Sequence, residues 1–174
     1  MLGILNKVDA TERRVGKMLP DTSAVAGRDG TIAEPWQPDW RPLPGPQTAA
    51  FESEADELLY GGAAGGGKTD LQVGPALSRH RRSIIFRREG TQLAEIVDRL
   101  DELAPDAETN LNKGRWTLPD GRFVEVGGVK HRRDWRKYQG RPHDLIEFDE
   151  LTQFEQSQFR KLIIWNRSTK PQIG

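Results

Sequence analysis

The sequence predicts an α/β fold in which a mainly parallel sheet is flanked by helices. Three features indicate this class: an apolar run with a glycine-rich loop at residues 57–69, a second apolar run at 83–86, and a third at 144–150 that ends in two carboxylates. Helical patterns separate the runs, an alternation typical of parallel strands joined by crossover helices. The 174 residues suffice for one domain with its own core.

Composition excludes several functional classes. Lys+Arg and Asp+Glu number 26 each, so no overall basic field draws the chain onto nucleic acid. The absence of cysteine excludes disulfides and Cys-ligated zinc. No run approaches the roughly 18 apolar residues of a membrane helix, and the N-terminus lacks an apolar signal core. We therefore expect a soluble, intracellular protein without a membrane partner.

Residues 1–46 are predicted to form an arm outside the main domain, which is assigned to residues 47–174. Within residues 1–33, one face of a short helix fits Leu2, Ile4, Leu5 and Val8, but glycines interrupt anything longer, which indicates a loosely ordered arm. Residues 35–46, the proline strap, hold five prolines and favour extended backbone. Trp36 and Trp40 either pin this strap against the domain or lie in an exposed linker.

The glycine loop, residues 62–69, matches the phosphate-binding pattern G-x-x-x-x-G-K-[ST] at every fixed position. A predicted strand at 57–60 and a helix reaching residue 79 supply the context that the pattern needs. Glycines let backbone N–H groups converge on phosphate oxygens, and the helix N-terminus adds positive charge. Lys68 is predicted to reach the β- and γ-phosphates, and the Thr69 hydroxyl to ligate Mg²⁺. The alternative is a flexible glycine turn.

The remaining elements follow from periodicity and turn residues. A short helix is predicted from Gln47, and a longer one over 91–103 with Thr91 as its cap. Residues 106–113 are interpreted as a loop, and residues 115–126 as a small inserted hairpin. The last predictions are a turn at Gly127-Gly128 and a helix over 153–165.

Asp149 and Glu150 are the candidate catalytic carboxylates, because they directly follow an apolar strand. In nucleotide hydrolases the first acid at such a position binds Mg²⁺ through water, and the second polarises the attacking water. An ordinary strand end entering an acidic loop is the alternative. Glu147 does not fit this predicted buried strand, because a central strand should not bury an unpaired charge.

Basic residues cluster at 79–82, 87–88 and 130–137. Such clusters are either solvated surface or contacts to the backbone of DNA, and DNA contacts would depend strongly on salt.

Together the quoted motifs resemble the ATPase domain of the tailed-bacteriophage terminase large subunit over about residues 42–169. They are PGPQ at 44–47, LYGGAAGGGKTD at 59–70, FRRE at 86–89, YQGRPHD at 138–144 and FDE at 148–150. The resemblance implies a P-loop NTPase fold with ATP and Mg²⁺ as cofactors. It implies that Gln47 reads adenine, that Glu150 and Lys68 are catalytic, and that Thr69 and Asp149 hold the metal. The nucleotide would further contact Gly62, Ala63, Ala64, Gly65, Gly66, Gly67, Lys68, Thr69 and Asp70.

The family also implies partners: double-stranded viral DNA, a portal protein and a small terminase subunit, with a homo-oligomeric ring working in the bacterial host's cytoplasm. The chain departs from the family at Gln139, where some members carry a transition-state arginine; Arg141 would substitute only if its loop moved. Glu147 stands where relatives often have a small or apolar residue. The sequence is expected to stop before the third ATPase motif and the nuclease domain. Another nucleic-acid-dependent ATPase, or a nucleotide-binding remnant without turnover, remains an alternative.

Overall fold

Seven strands form one mixed sheet in the computed structural model, which describes residues 36–62 and 65–167 together with the backbone of residues 2–6. In chain order, the strands are β1 Leu2–Asn6, β2 Glu57–Tyr60, β3 Arg82–Arg87, β4 Glu108–Asn110, β5 Arg115–Thr117, β6 Phe123–Gly128 and β7 Leu145–Phe148. Across the sheet their order is β2-β1-β7-β3-β6-β5-β4.

The direction of the strands brings several carboxyl ends to one edge. β3 runs parallel to both β6 and β7. β1 is antiparallel to both β2 and β7, so these two strands run in the same direction with β1 between them. Loops that follow β2, β3, β6 and β7 therefore all leave the sheet at the same edge, the place where ligands bind in open α/β sheets.

Within the described residues, four α-helices accompany the sheet: α1 Pro46–Phe51, α2 Lys68–Ser78, α3 Ala94–Leu103 and α4 Gln156–Leu162. One core joins residues of α2 and α3 to one sheet face, including Ile85 and Leu145. A second core covers the other face and includes Phe86, Phe148 and Leu162. Alternate residues of a strand point to opposite faces, which explains why neighbours in β3 and β7 divide between the two cores.

The α/β class is confirmed, but the sheet is mixed and not mainly parallel as predicted: among the described strands, two of the six pairings are parallel, β3 with β6 and β3 with β7. The positions of the main elements are confirmed. Strands lie at 57–60, 82–87 and 145–148, α2 begins at Lys68, and β5 pairs antiparallel with β6 as a hairpin. The proline strap is pinned to the domain, because Trp36 and Trp40 pack against the first core. The Trp40 ring lies so close to Gly74 of α2 that a Cβ there would collide with it. A glycine inside α2 is thus explained by packing.

Two predictions about strands are wrong. The N-terminal residues 2–6 form β1, not one face of a helix, because the edges of β2 and β7 supply its hydrogen-bond partners. The rest of the predicted loose arm, residues 7–35, lies outside the described residues. The expected loop at 106–113 contains β4, which pairs with β5.

The hairpin is also no separate insertion, since β6 pairs with the central strand β3 along its length. Gly127 and Gly128 end β6 and do not form a turn. A Cβ on Gly127 would collide with the Tyr138 side chain, and the backbone of Gly90 leaves only tight space beside Gly128. Glycine here serves close packing within a strand.

Helix ends differ from their predictions as well. Thr91 lies in a 3-10 turn and does not cap α3. The helix expected over 153–165 is divided, because Phe154 has extended backbone and turns its ring edge-on to Phe148, at 5.3 Å between centroids. A capping box of Glu155 and Gln158 then begins α4. None of the helices in the described ranges is long and apolar enough to cross a bilayer.

Candidate functional site

The candidate site lies at the carboxyl edge of the sheet. The glycine loop follows β2, Arg87 ends β3, and Asp149 and Glu150 follow β7. Three strands of common direction place these groups at one edge, as the sequence predicts for a nucleotide site.

The glycine loop enters α2 in a conformation that suits glycine. Gly65 and Gly67 have φ angles of 78° and 66°, in the left-handed region. Lys68 begins α2, and its Nζ donates to the carbonyl oxygen of Gly62 at 3.2 Å, folding the side chain back over the loop. Two predicted phosphate contacts, Ala63 and Ala64, lie outside the described residues. In the rest of the loop, Gly62, Gly65 and Gly66 are exposed.

Gln47 lies beneath this loop and is 3% exposed. Its Nε2 donates to the carbonyl oxygen of Gly67 at 2.8 Å, while its Oε1 accepts from the backbone N–H of Leu43 at 2.8 Å. Both ends of the amide therefore engage the backbone of this chain. Recognition of adenine by Gln47 stays a prediction.

The first turn of α2 is tied to α3 by two side chains. The Thr69 hydroxyl donates to Oε1 of Glu95 at 2.9 Å. Asp70, predicted to contact nucleotide, accepts from Nε of Arg99 at 2.6 Å. Arg99 also pairs with Glu102 at 2.6 Å, so Asp70 belongs to an ion-pair network between the two helices.

Asp149 is 6% exposed and forms an ion pair with Arg87. Burial raises the pKa of Asp149 and outweighs the opposing charge of Arg87; Glu150 and Glu95 add to the increase. The influence of Glu95 shows that Thr69, Glu95 and Asp149 share one electrostatic environment.

Glu150 has φ 53° and ψ 52°, the one positive φ outside glycine among the described residues. A side chain in the left-handed region stores strain on the order of 1 kcal/mol, which is frequent at functional sites. The turn that follows is closed by a hydrogen bond from the N–H of Gln153 to the carbonyl of Glu150, 2.8 Å long.

Glu147 is fully buried, and neither carboxyl oxygen has a hydrogen-bond partner. Burial, with a smaller contribution from Asp149, raises its pKa well above the ordinary value. Burial of this carboxyl group in β7 therefore favours its uncharged form over the carboxylate.

Arg141 contacts a different part of the sheet. It pairs with Glu125 of β6, a 1% exposed residue that Arg115 contacts at 2.6 Å and His143 at 2.9 Å. In the register of the sheet, Glu125 lies beside Ile84, before the edge at which β3 ends. The side chain of Arg141 therefore pairs with the buried Glu125 and not with Asp149. The arginine that contacts Asp149 is Arg87.

Three contributors to this edge escaped the sequence analysis. Glu95 lies in the first turn of a helix, where acidic residues are common, and no sequence motif marks it as a partner of Thr69. Arg87 belongs to a basic cluster and to the FRRE motif, but neither of these features predicts its pairing with Asp149. The third is Gln158, which accepts from Arg88 at 2.7 Å and donates to the carbonyls of Val129 and His131.

Many cations of the basic clusters have partners within the chain. Lys130 pairs with Glu89 at 3.1 Å and Lys137 with Asp134 at 3.0 Å. The guanidinium of Arg79 lies 3.3 Å from the centroid of the Phe51 ring. These contacts reduce the positive charge that the clusters offer to DNA.

Within the described ranges, no group of three or more His, Cys, Asp or Glu side chains could hold a metal ion unaided. Magnesium commonly uses one or two protein oxygens and takes the rest from phosphates and water, so Thr69 and Asp149 fit that ion in chemistry and number. Comparisons of the chain with protein families, curated proteins and solved structures found no match.

Proposed function

We propose that the chain binds ATP with Mg²⁺ at this edge and hydrolyses it, as the ATPase part of a terminase-like motor that packages viral DNA. One observation carries the proposal: a glycine loop opening a helix at Lys68 shares a sheet edge with the buried, strand-terminal carboxylate of Asp149. Phosphate groups need the N–H donors of the glycine loop, and magnesium needs the carboxylate oxygen of Asp149.

Each residue has a distinct part in this proposal. The N–H groups of the loop and the ammonium of Lys68 bind phosphate oxygens. Thr69 and Asp149 would hold Mg²⁺, which when bound neutralises charge on those oxygens. Asp149 would do so while keeping its ion pair with Arg87. Glu150 orients the attacking water and accepts its proton.

Substitution of Lys68 by alanine tests nucleotide binding. Losing a charge-assisted phosphate contact should weaken ATP affinity by about 2 kcal/mol or more, roughly thirtyfold. Lys113→Ala is the matched control, because Lys113 is an exposed lysine in the turn between β4 and β5. Equal affinities of Lys68→Ala and the parent protein, measured by calorimetry, would remove the basis of the proposal.

The wider assembly belongs to the same proposal: double-stranded DNA, a portal protein, a small terminase subunit and a ring of copies in the bacterial cytoplasm. DNA binding should be weak and directed at the phosphate backbone, because the net charge is zero and many clustered cations are paired. We expect log affinity to fall linearly with log salt concentration. A flat salt dependence, or strong preference for one base sequence, would contradict this part.

A further inference from the structure

Gln47 connects the proline strap to the glycine loop through backbone groups on both sides. Leu43 of the strap donates its N–H to Oε1, and the carbonyl of Gly67 accepts from Nε2, each at 2.8 Å. The position of Leu43 is itself set by Thr48, whose hydroxyl and N–H both donate to the Leu43 carbonyl, at 2.8 and 3.2 Å. The amide thus bridges two well-defined pieces of backbone.

The contact with Gly67 fixes the orientation of the peptide unit that leads into Lys68. A trans peptide is planar, so the carbonyl of Gly67 and the N–H of Lys68 point in opposite directions. The carbonyl is held by Gln47 and by the N–H of Leu71 at 3.1 Å. Holding the oxygen there directs the N–H of Lys68 the opposite way within the peptide plane. This N–H is one of the first-turn donors of α2 that no helix carbonyl can satisfy.

The absence of a side chain at Gly67 leaves the space that the Gln47 amide occupies. A Cβ on this residue would collide with the Gln47 amide, and its φ of 66° already favours glycine. The last glycine before the lysine therefore has a local reason that involves no ligand: it admits the glutamine. Reading a base edge requires an amide donor and acceptor that face the ligand. Here the donor and the acceptor each already have a backbone partner, in a residue that is 3% exposed.

The strap is braced at a second point along α2. Trp40 packs over Gly74, and its ring lies edge-on to Phe51 of α1 at 5.2 Å between centroids. Strap and α1 together therefore hold α2 at its first residues through Gln47 and further along through Trp40.

We infer that Gln47 is a positioning residue, which shapes the glycine loop for phosphates and does not select the base. The inference rests on the proposed function, which it deepens. If this is so, removing the Gln47 side chain should lower the affinity for every ligand with a polyphosphate group by the same factor, whatever base the ligand carries.

The test uses three probes, ATP, GTP and inorganic tripolyphosphate, which has no base. Affinities are measured for the parent chain, Gln47→Ala and the control Gln37→Ala, which alters an exposed glutamine of the strap. We expect Gln47→Ala to lower all three affinities about five- to tenfold, as for one lost buried hydrogen bond. A loss confined to ATP, with tripolyphosphate unchanged, means that Gln47 reads adenine and overturns the inference.

Hydrogen exchange without nucleotide separates this inference from the proposed function. The backbone amides at residues 65–69 should exchange roughly tenfold faster in Gln47→Ala than in Gln37→Ala, because the loop loses its internal tie. Unchanged exchange overturns the positioning role even if ATP binds. If none of the probes binds the parent chain, the proposed function fails while the exchange result still decides the role of Gln47.

Gln47→Glu provides the second variant if the alanine variant fails to fold. It preserves the volume of the side chain but turns an acceptor toward the Gly67 carbonyl, so it should accelerate exchange at residues 65–69 at least as much. Exchange as slow as in Gln37→Ala would again contradict the inference.

Discussion

The Thr69 hydroxyl donates a 2.9 Å hydrogen bond to Glu95, joining the first turn of α2 to the first turn of α3. A hydroxyl has one proton and two acceptor lone pairs. With the proton directed to Glu95, the lone pairs of Thr69 are oriented away from it, as a metal ligand requires. Glu95 also acts electrostatically on Asp149, the other oxygen proposed to serve Mg²⁺.

Replacing Glu95 by alanine should therefore weaken ATP binding in the presence of Mg²⁺ by about fivefold, the effect of one hydrogen bond of about 1 kcal/mol. Binding in EDTA should change little. Glu95→Gln keeps an oxygen acceptor for Thr69 and should resemble the parent, and Glu108→Ala, on exposed β4, is the control. The measurement is ATP affinity over a magnesium titration. If Glu95→Gln is as defective as Glu95→Ala, the charge and not the hydrogen bond is what matters.

Glu150→Gln should abolish most turnover while leaving ATP affinity nearly unchanged, because the charge is lost at the water and not at the phosphates. A general base contributes about 10²–10⁴ in rate. Asp149→Asn should impair Mg²⁺-dependent binding and turnover together. Single-turnover hydrolysis and ATP titration provide the two readouts. Hydrolysis by Glu150→Gln at the parental rate would reduce Glu150 to an ordinary residue of a strained turn.

Arg87→Ala should destabilise the fold by about 3 kcal/mol at neutral pH, because it leaves the carboxylate of Asp149 buried without its cation. Without Arg87 the folded-state pKa of Asp149, already raised in the parent, rises further. The loss of stability should therefore grow as pH increases from the parent's folded-state pKa toward that of the variant. Adding Asp149→Asn removes the stranded charge and should restore much of the stability. Urea unfolding of the single and double variants at pH 5 and pH 8 measures the coupling. If the losses of unfolding free energy in Arg87→Ala and Asp149→Asn add up in the double variant, the ion pair does not stabilise the fold.

Glu147 should make the protein less stable as pH rises. Its folded-state pKa is raised well above the unfolded value, so folding retains a proton that the unfolded chain releases above about pH 4.5. Between that pH and the folded-state pKa, the penalty grows by about 1.4 kcal/mol per pH unit. Glu147→Gln, which does not titrate, should show a flatter pH dependence of the free energy of unfolding. Glu57→Gln, on an exposed position of β2, is the control and should follow the parent. Parallel curves for Glu147→Gln and the parent would contradict a protonated Glu147.

Glu125 should have the opposite pH dependence. Burial raises the pKa of Glu125, but hydrogen bonds from His143 and Arg115 and the charge of Arg141 together lower it to about 2. Its ionised form thus stabilises the fold above the unfolded pKa near 4.5, and this contribution is lost as pH falls toward 2. Glu125→Gln should cost about 3 kcal/mol at pH 7, since three partners lose a buried anion. The difference from the parent, followed by thermal unfolding, should shrink steadily below pH 4.5; a constant difference would exclude this origin.

Local chemistry made much of the edge predictable. Glycines followed by Lys68 and Thr69 predicted a helix start, and the apolar run before Asp149 predicted a buried strand; the structure confirms both. Each signal lies within a few residues of the feature that it predicts. The turn at Asp120-Gly121, which joins β5 to β6 with a φ of 83° at Gly121, is another feature that adjacent residues determine.

Local sequence patterns were enough to predict the α/β class, the order of the main elements, and the glycine loop and carboxylates as candidate site groups. They could not predict that β1 lies between β2 and β7, that Arg87 pairs with Asp149, or that Glu95 accepts from Thr69. Nor could they predict that the Gln47 amide engages backbone groups. Periodicity and turn residues report on neighbours in sequence, whereas these contacts join segments far apart in the chain. Which strands pair, and which polar groups thereby become buried together, depends on the packing of the whole sheet.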